Sequence, residues 1–113
     1  MYYYKVEILR VVDGDTVDVR MDLGFNVWHK CRVRLVGINA PESRTRDLEE
    51  KARGLAAKDW LKDILDSAQA DIEMQSHGVG KYGRVLGEIF IQDETGNTIC
   101  VNKQLITEGH AYI

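Results

Sequence analysis

Between Val17 and Asp22 apolar and charged side chains alternate without a break: Val17, Val19 and Met21 against Asp18, Arg20 and Asp22. A period of two belongs to a strand with one buried and one wet face. Turn signals bound the run on both sides, Asp13-Gly14-Asp15 before it and Leu23-Gly24-Phe25-Asn26 after it. Residues 2–12, rich in Tyr, Val, Ile and Leu, predict a strand ahead of it. Residues 27–38 predict a third strand with Arg32 and Arg34 inside it, closed by Asn39-Ala40-Pro41-Glu42 because proline cannot donate to a ladder.

The period then changes. Ala57, Leu61, Ile64, Leu65 and Ala68 recur at helical spacing. They predict a helix from about Asp47 to Ser67, with Asp47, Glu49 and Glu50 in its first turn, where the helix dipole favours acids. Thr45 is the expected N-cap, and Gly54 inside the helix implies close packing. Strands are expected over 70–76 and 84–92, separated by a glycine-punctuated loop over 77–83. Val85, Gly87, Ile89 and Ile91 share one side of the second of these. A turn at 93–97, a short strand at 98–100 and a helix over 102–108 closed by Gly109 complete the chain. This order predicts a mainly β (α+β) fold: a five-stranded Greek-key OB-fold barrel with a helix after the third strand and a short C-terminal helix. The strand period itself is shared with other small barrels.

One domain over residues 1–113 is expected from the length, and no obligatory partner is implied, so a monomer is expected. No apolar run approaches the roughly 20 residues of a membrane span, which predicts no membrane partner. Lys5 and Glu7 interrupt the tyrosine-rich start, so no signal peptide is expected and the cytoplasm is the expected location, with a mature secreted form as the alternative. Cys31 and Cys100 have no CxxC spacing and are expected as free, half-buried thiols. The net charge of −3 argues against a protein that coats nucleic acid through a broad basic face. If the chain acts on nucleic acid, a local cationic site together with a metal is expected instead.

Charged residues stand where a barrel wants apolar ones. Asp15 shares the parity of Val17 and Val19, and Arg34 that of Val36 and Ile38, both read as apolar faces. Taken alone, these two favour a structural ion pair at a barrel end. Glu42 and Arg84 widen the reading. Phosphodiester cleavage calls for a hard cation held by oxygens, a carboxylate to orient or deprotonate water and guanidiniums to clamp the charge on phosphate.

Three segments supply the specificity. Val12-Asp13-Gly14-Asp15-Thr16-Val17, Val33-Arg34-Leu35-Val36-Gly37-Ile38-Asn39-Ala40-Pro41-Glu42 and Lys81-Tyr82-Gly83-Arg84-Val85-Leu86-Gly87 resemble, in order, the signature segments of the staphylococcal nuclease (thermonuclease) family. Val101–Leu105 and Glu108–Ala111 resemble its following helix and turn, so the resemblance covers nearly the whole chain. It implies a metal-dependent nuclease, a hydrolase of DNA and RNA that leaves 3′-phosphates, with calcium the expected cation. By position it implies Asp15 as a calcium ligand, Ala40 as a backbone-carbonyl ligand, Arg34 and Arg84 on the scissile phosphate, and Glu42 on the attacking water. Lys81 and Tyr82 fall beside the nucleotide, where a cation and an aromatic face suit phosphate and base; loop packing is an equal reading of Tyr82.

Departures from the family pattern matter. Asn39 stands where staphylococcal nuclease has a second metal-binding aspartate; its carbonyl can still ligate, with one charge fewer. Weaker binding or a shifted metal preference is expected. Asp18 has the wrong parity to help, and Asp13 is expected to hold the turn. The loop Ser43-Arg44-Thr45-Arg46 is short, and its arginines are expected to lean toward substrate. Two alternatives stand beside the enzyme: a catalytically weakened or inactive OB-type nucleic-acid-binding module, which Asn39 favours, and a structural interaction domain, supported by the acidic balance alone.

Overall fold

A computed structural model describes residues 3–80 and 83–113. Its elements run β1 (Tyr3–Asp13), β2 (Thr16–Asp22), β3 (Trp28–Leu35), α1 (Leu48–Asp66), β4 (Ile72–Val79), β5 (Val85–Gln92), β6 (Thr98–Cys100) and α2 (Val101–Thr107). The strands hydrogen-bond in the order β3-β2-β1-β4-β5-β6. A short parallel contact of Val33–Leu35 with Val85–Gly87 closes the first five into a barrel. The result is the α+β OB-type arrangement that the order of periods predicts.

The alternation in β2 does what its period requires. Val17, Val19 and Met21 are buried in the core. Asp18 faces outward and accepts a hydrogen bond from Arg32 Nε at 2.8 Å, and Arg20 Nε donates to Glu7 at 2.8 Å. The Arg32 hydrogen bond holds the Asp18 carboxyl below its usual value, against a smaller opposing effect of burial. Leu35, Leu61, Met74, Ile89 and Leu105 are fully buried, each contributing about 1.5–3 kcal/mol of hydrophobic stabilisation by its burial.

Helix α1 lays Gly54, Ala57, Leu61 and Leu65 against the barrel. Its N-cap is Asp47, not Thr45: the Asp47 carboxylate accepts from Glu49 N at 3.1 Å and Glu50 N at 3.3 Å. Thr45 acts one step earlier, its hydroxyl accepting from Asp47 N. Strand β3 is also shorter than its composition suggests. It stops at Leu35, well ahead of Pro41, because Gly37 turns the chain in the left-handed region with φ 80°. Conversely β4 continues through His77, Gly78 and Val79, across a register shift after Ser76, into what reads as loop.

Buried Asn102 ties these parts together. Its amide donates to Val36 O at 3.0 Å and Gly87 O at 3.1 Å, and its carbonyl accepts from Ile89 N at 3.1 Å. One side chain thereby joins α2, β5 and the exit of β3. Cys31 and Cys100 are free and half-buried. Burial raises both thiol pKa values, so both stay protonated near neutrality.

Candidate active site

The turn between β1 and β2, the loop after β3 and the start of β5 meet at one end of the barrel. Small residues set how closely they meet. A Cβ on Gly14 would fall 2.7 Å from Ala57 Cβ of α1 and 3.0 Å from Ala40 Cβ. A Cβ on Gly54 would fall 2.4 Å from the backbone oxygen of Glu42. Helix α1 therefore rests directly on the Glu42–Ser43 backbone, which is the packing that an otherwise costly helical glycine implies.

Asp15 sits at the centre. Thr16 Oγ1 donates to its Oδ1 at 3.0 Å, and Ala40 N donates to its Oδ2 at 2.9 Å. Arg34 Nη2 lies 3.2 Å from the same Oδ2 and 2.9 Å from Asn39 Oδ1, to which it donates. Arg34 Nη1 donates to Leu35 O and Ile38 O, both at 2.9 Å. Asn39 is held in turn by a two-way backbone bridge with Tyr112, at 2.7 and 2.8 Å. Ser43 donates its hydroxyl to Asp13, so the Asp13 side chain ties the β1–β2 turn to the loop after β3.

The parity expected for Arg34 does not hold. Val33 and Leu35 are the buried residues of β3, and Arg34 points the other way. Because β3 ends at Leu35, Val36 and Ile38 do not continue its alternation. Arg34 reaches the site by folding back over the loop that follows it, an arrangement invisible to strand period.

Asp15, Arg34, Asn39, Ala40, Glu42 and Arg84 line one cavity of about 320 Å³ together with Asp13, Thr16, Pro41, Glu50 and Tyr112. All six residues named at this end of the barrel by the sequence are thus brought together. Arg44 and Arg46 are exposed and do not line it. Lys81 and Tyr82 lie outside the described residues.

A family profile described as staphylococcal nuclease homologue matches residues 32–113. The chain belongs to the staphylococcal nuclease family. It is 31% identical over 113 residues to the micrococcal nuclease of Shigella flexneri, covering 96% of this chain and 58% of that one. It is 32% identical over 111 residues to Protein ParB of Escherichia coli, covering 94% and 55%. It is 31% identical over 90 residues to the thermonuclease of Staphylococcus intermedius, covering 80% and 51%. The chain thus spans little more than half the length of these curated relatives.

Within this staphylococcal nuclease family fold, two lining residues escape sequence reasoning. Glu50 reads only as a helix-dipole acid in the first turn of α1, yet it lines the cavity. Tyr112 reads as a tail residue, yet its backbone pairing with Asn39 brings it to the cavity lining. No local signal marks Tyr112; the spacing of Glu50 from Asp47 could have flagged Glu50. The charge balance is the most telling property. The lining carries four carboxylates, Asp13, Asp15, Glu42 and Glu50, against two guanidiniums, Arg34 and Arg84. A phosphate entering this cavity meets excess negative charge. Among the described residues no three His, Cys, Asp or Glu are grouped to hold a metal. The donors that converge are oxygens, Asp15 Oδ2 and Asn39 Oδ1, both already within reach of one cationic nitrogen. All-oxygen donors and a surplus of acid fit a hard divalent cation.

Proposed function

We propose that this chain is a divalent-cation-dependent nuclease that hydrolyses DNA or RNA phosphodiester bonds at this cavity. The observation that carries the reading is the convergence of Asp15, Arg34, Asn39, Glu42 and Arg84 on one cavity of about 320 Å³. Related chains named micrococcal nuclease and thermonuclease support it.

Asp15 and Asn39, with the Ala40 backbone carbonyl, are the residues that would hold the cation, calcium in the first instance. When bound it would offset the acid surplus, polarise a phosphate oxygen and acidify water. Arg84 and Arg34 bind the scissile phosphate and meet the charge that grows on its oxygens. Three of the five N–H donors of Arg34 are committed to Leu35, Ile38 and Asn39, so its guanidinium is held rigid for this task. Glu42 orients the attacking water and takes its proton. The water oxygen bonds to phosphorus, the P–O5′ bond breaks, and the leaving oxygen takes a proton from solvent, leaving a 3′-phosphate. Lys81 and Tyr82 are proposed to flank the nucleotide.

A second reading, an OB-type nucleic-acid-binding module with weakened catalysis, draws on one observation. Arg34 Nη2 already bridges the two oxygens, Asp15 Oδ2 and Asn39 Oδ1, that would hold the cation, and Asn39 brings no charge to compete for it. One assay separates the readings. Single-stranded DNA is incubated with the protein and calcium, then with chelator. Calcium-dependent fragments that disappear with Arg34→Ala or Glu42→Ala are expected. Retained binding with no cleavage in calcium, manganese or magnesium would overturn the enzyme.

A further inference from the structure

The β2–β3 ribbon runs from the cavity to a tip that nothing in the catalytic reading uses. In register, Thr16 pairs with Arg34 at the cavity and Asp22 with Trp28 at the tip. The turn beyond, Leu23–Val27, places Gly24, Phe25 and Asn26 in succession at positive φ, 82°, 53° and 62°. For a bulky residue such as Phe25 this is costly. The residue is fully exposed, so no packing among the described residues offsets that cost. Leu23, Val27 and Trp28 are exposed beside it.

The apolar tip is ringed by cations. Arg20 lies over the Trp28 ring, 4.2 Å from its centroid. Lys30 is paired across the ladder with Arg20 on the same outward face. Arg20, Lys30, Arg32 and Arg34 stand outward on the ribbon with Asp18 and Asp22; Arg20 pairs with Glu7, Arg32 with Asp18 and Arg34 with Asp15, which leaves Lys30 as the cation of this row in no such pair among the described residues. Beyond the barrel closure at Val33, the rest of β3 pairs only with β2 among the described strands. The tip is therefore an open aromatic and cationic ledge aligned with the cavity. Aromatic faces for bases and cations for the backbone are how proteins hold single strands without regard to sequence. A lipid or protein contact would want the apolar tip but has no need of Lys30 on the face that leads to Arg34.

We propose that the β2–β3 tip is a second nucleic-acid contact, where Phe25 and Trp28 stack on bases and Lys30 meets backbone phosphates of the same single strand whose scissile phosphate occupies the cavity. The proposal rests on the reading of that cavity as a phosphodiester site. Six residues of strand separate the two, about 20 Å. That is about six nucleotides at the stacked spacing of roughly 3.4 Å, so short substrates cannot reach both.

The test uses the full chain with thymidine oligonucleotides of three and twelve residues. Phe25→Asn keeps a residue that tolerates positive φ, and Lys30→Ala alters an exposed side chain, so both are expected to fold with an unchanged or raised melting temperature. Each is expected to raise KM for the twelve-mer about five- to tenfold, leaving its kcat and all constants for the three-mer unchanged. Fluorescence anisotropy of a labelled twelve-mer in chelator is expected to show the same loss of affinity. Equal effects on both lengths, or none on the twelve-mer, would overturn the proposal. So would loss of self-association or of vesicle binding in Phe25→Asn with oligonucleotide binding intact. If the parent protein cuts neither substrate, the cavity reading fails alone, and the anisotropy result decides the tip: weaker binding by the variants upholds it, and unchanged or absent binding overturns it.

Discussion

The two ends of the β2–β3 ribbon are built on opposite principles. At the cavity end, Asp15 is held by Arg34 and by Ala40 N of the loop after β3, and that loop, which also holds Arg34 through Leu35 O, Ile38 O and Asn39 Oδ1, is backed by Tyr112 and helix α1. At the tip, the chain is held by its own turn, through Leu23 N to Val27 O at 2.9 Å and Gly24 N to Asp22 Oδ1 at 2.8 Å. The first end is made rigid by tertiary contact, as electrostatic catalysis requires. The second is local and open, as a surface that adapts to bases would be. Substitutions that disturb those tertiary contacts should couple chemistry to fold stability, and those at the tip should change neither.

The largest expected effect is at the cavity. Glu42→Gln should lower kcat by about 10²- to 10⁴-fold while the melting temperature stays within error, because its side chain is exposed. A melting temperature that falls in parallel would mean Glu42 is structural. Next comes Gly54→Ala, where the new methyl meets the Glu42 carbonyl backbone. It should cost about 1–3 kcal/mol of stability by overpacking and reduce kcat by displacing Glu42; denaturant melts with parallel kinetics check it. Unchanged activity would break the link between α1 and the site.

Asn39→Asp follows. Restoring a carboxylate opposite Asp15 should tighten divalent-cation binding about tenfold, read by calorimetry without any substrate. No change would mean that the cation is held elsewhere or that Arg34 keeps both oxygens. The smallest effect belongs to the outer face of the ribbon. The folded-state pKa of Asp18 is lowered, first by the hydrogen bond from Arg32. Its stabilisation is therefore full above the ordinary carboxylate value of 3.8 and is lost as pH falls below it through the lowered value. Asp18→Asn should leave a small deficit in stability at pH 6 that vanishes toward pH 2. A deficit that persists at pH 2 would mean the loss is steric, and it should leave cleavage untouched.

Much of this was legible in residue order. The period-two run of β2, the helical spacing of Ala57 to Leu65 and the turn at Asp13–Asp15 set elements that the structure reproduces almost residue for residue. Parity alone put Asp18 on the face away from the site, and the structure adds that it pairs there with Arg32. Parity failed for Arg34 because it assumes that a strand continues, and Gly37 ends β3 two residues after Leu35. The Thr45 cap failed because Asp47, two residues on, offers a charged acceptor to the same helix end.

What residue order determined, then, was local: which faces are apolar, where the chain turns, and which charged residues stand out against those patterns. These follow from side-chain period and backbone preference, which act over a few residues. What only the tertiary structure decided was which charges share a space. Glu50 and Tyr112 join Asp15 across gaps in the chain that no period spans, and Glu50 adds a fourth carboxylate to a cavity that holds two guanidiniums. Conversely Phe25, read from sequence as one residue of a turn, becomes an exposed ledge because none of the described residues reaches over to cover it. Proximity in a folded chain is set by packing, and packing is a property of the whole.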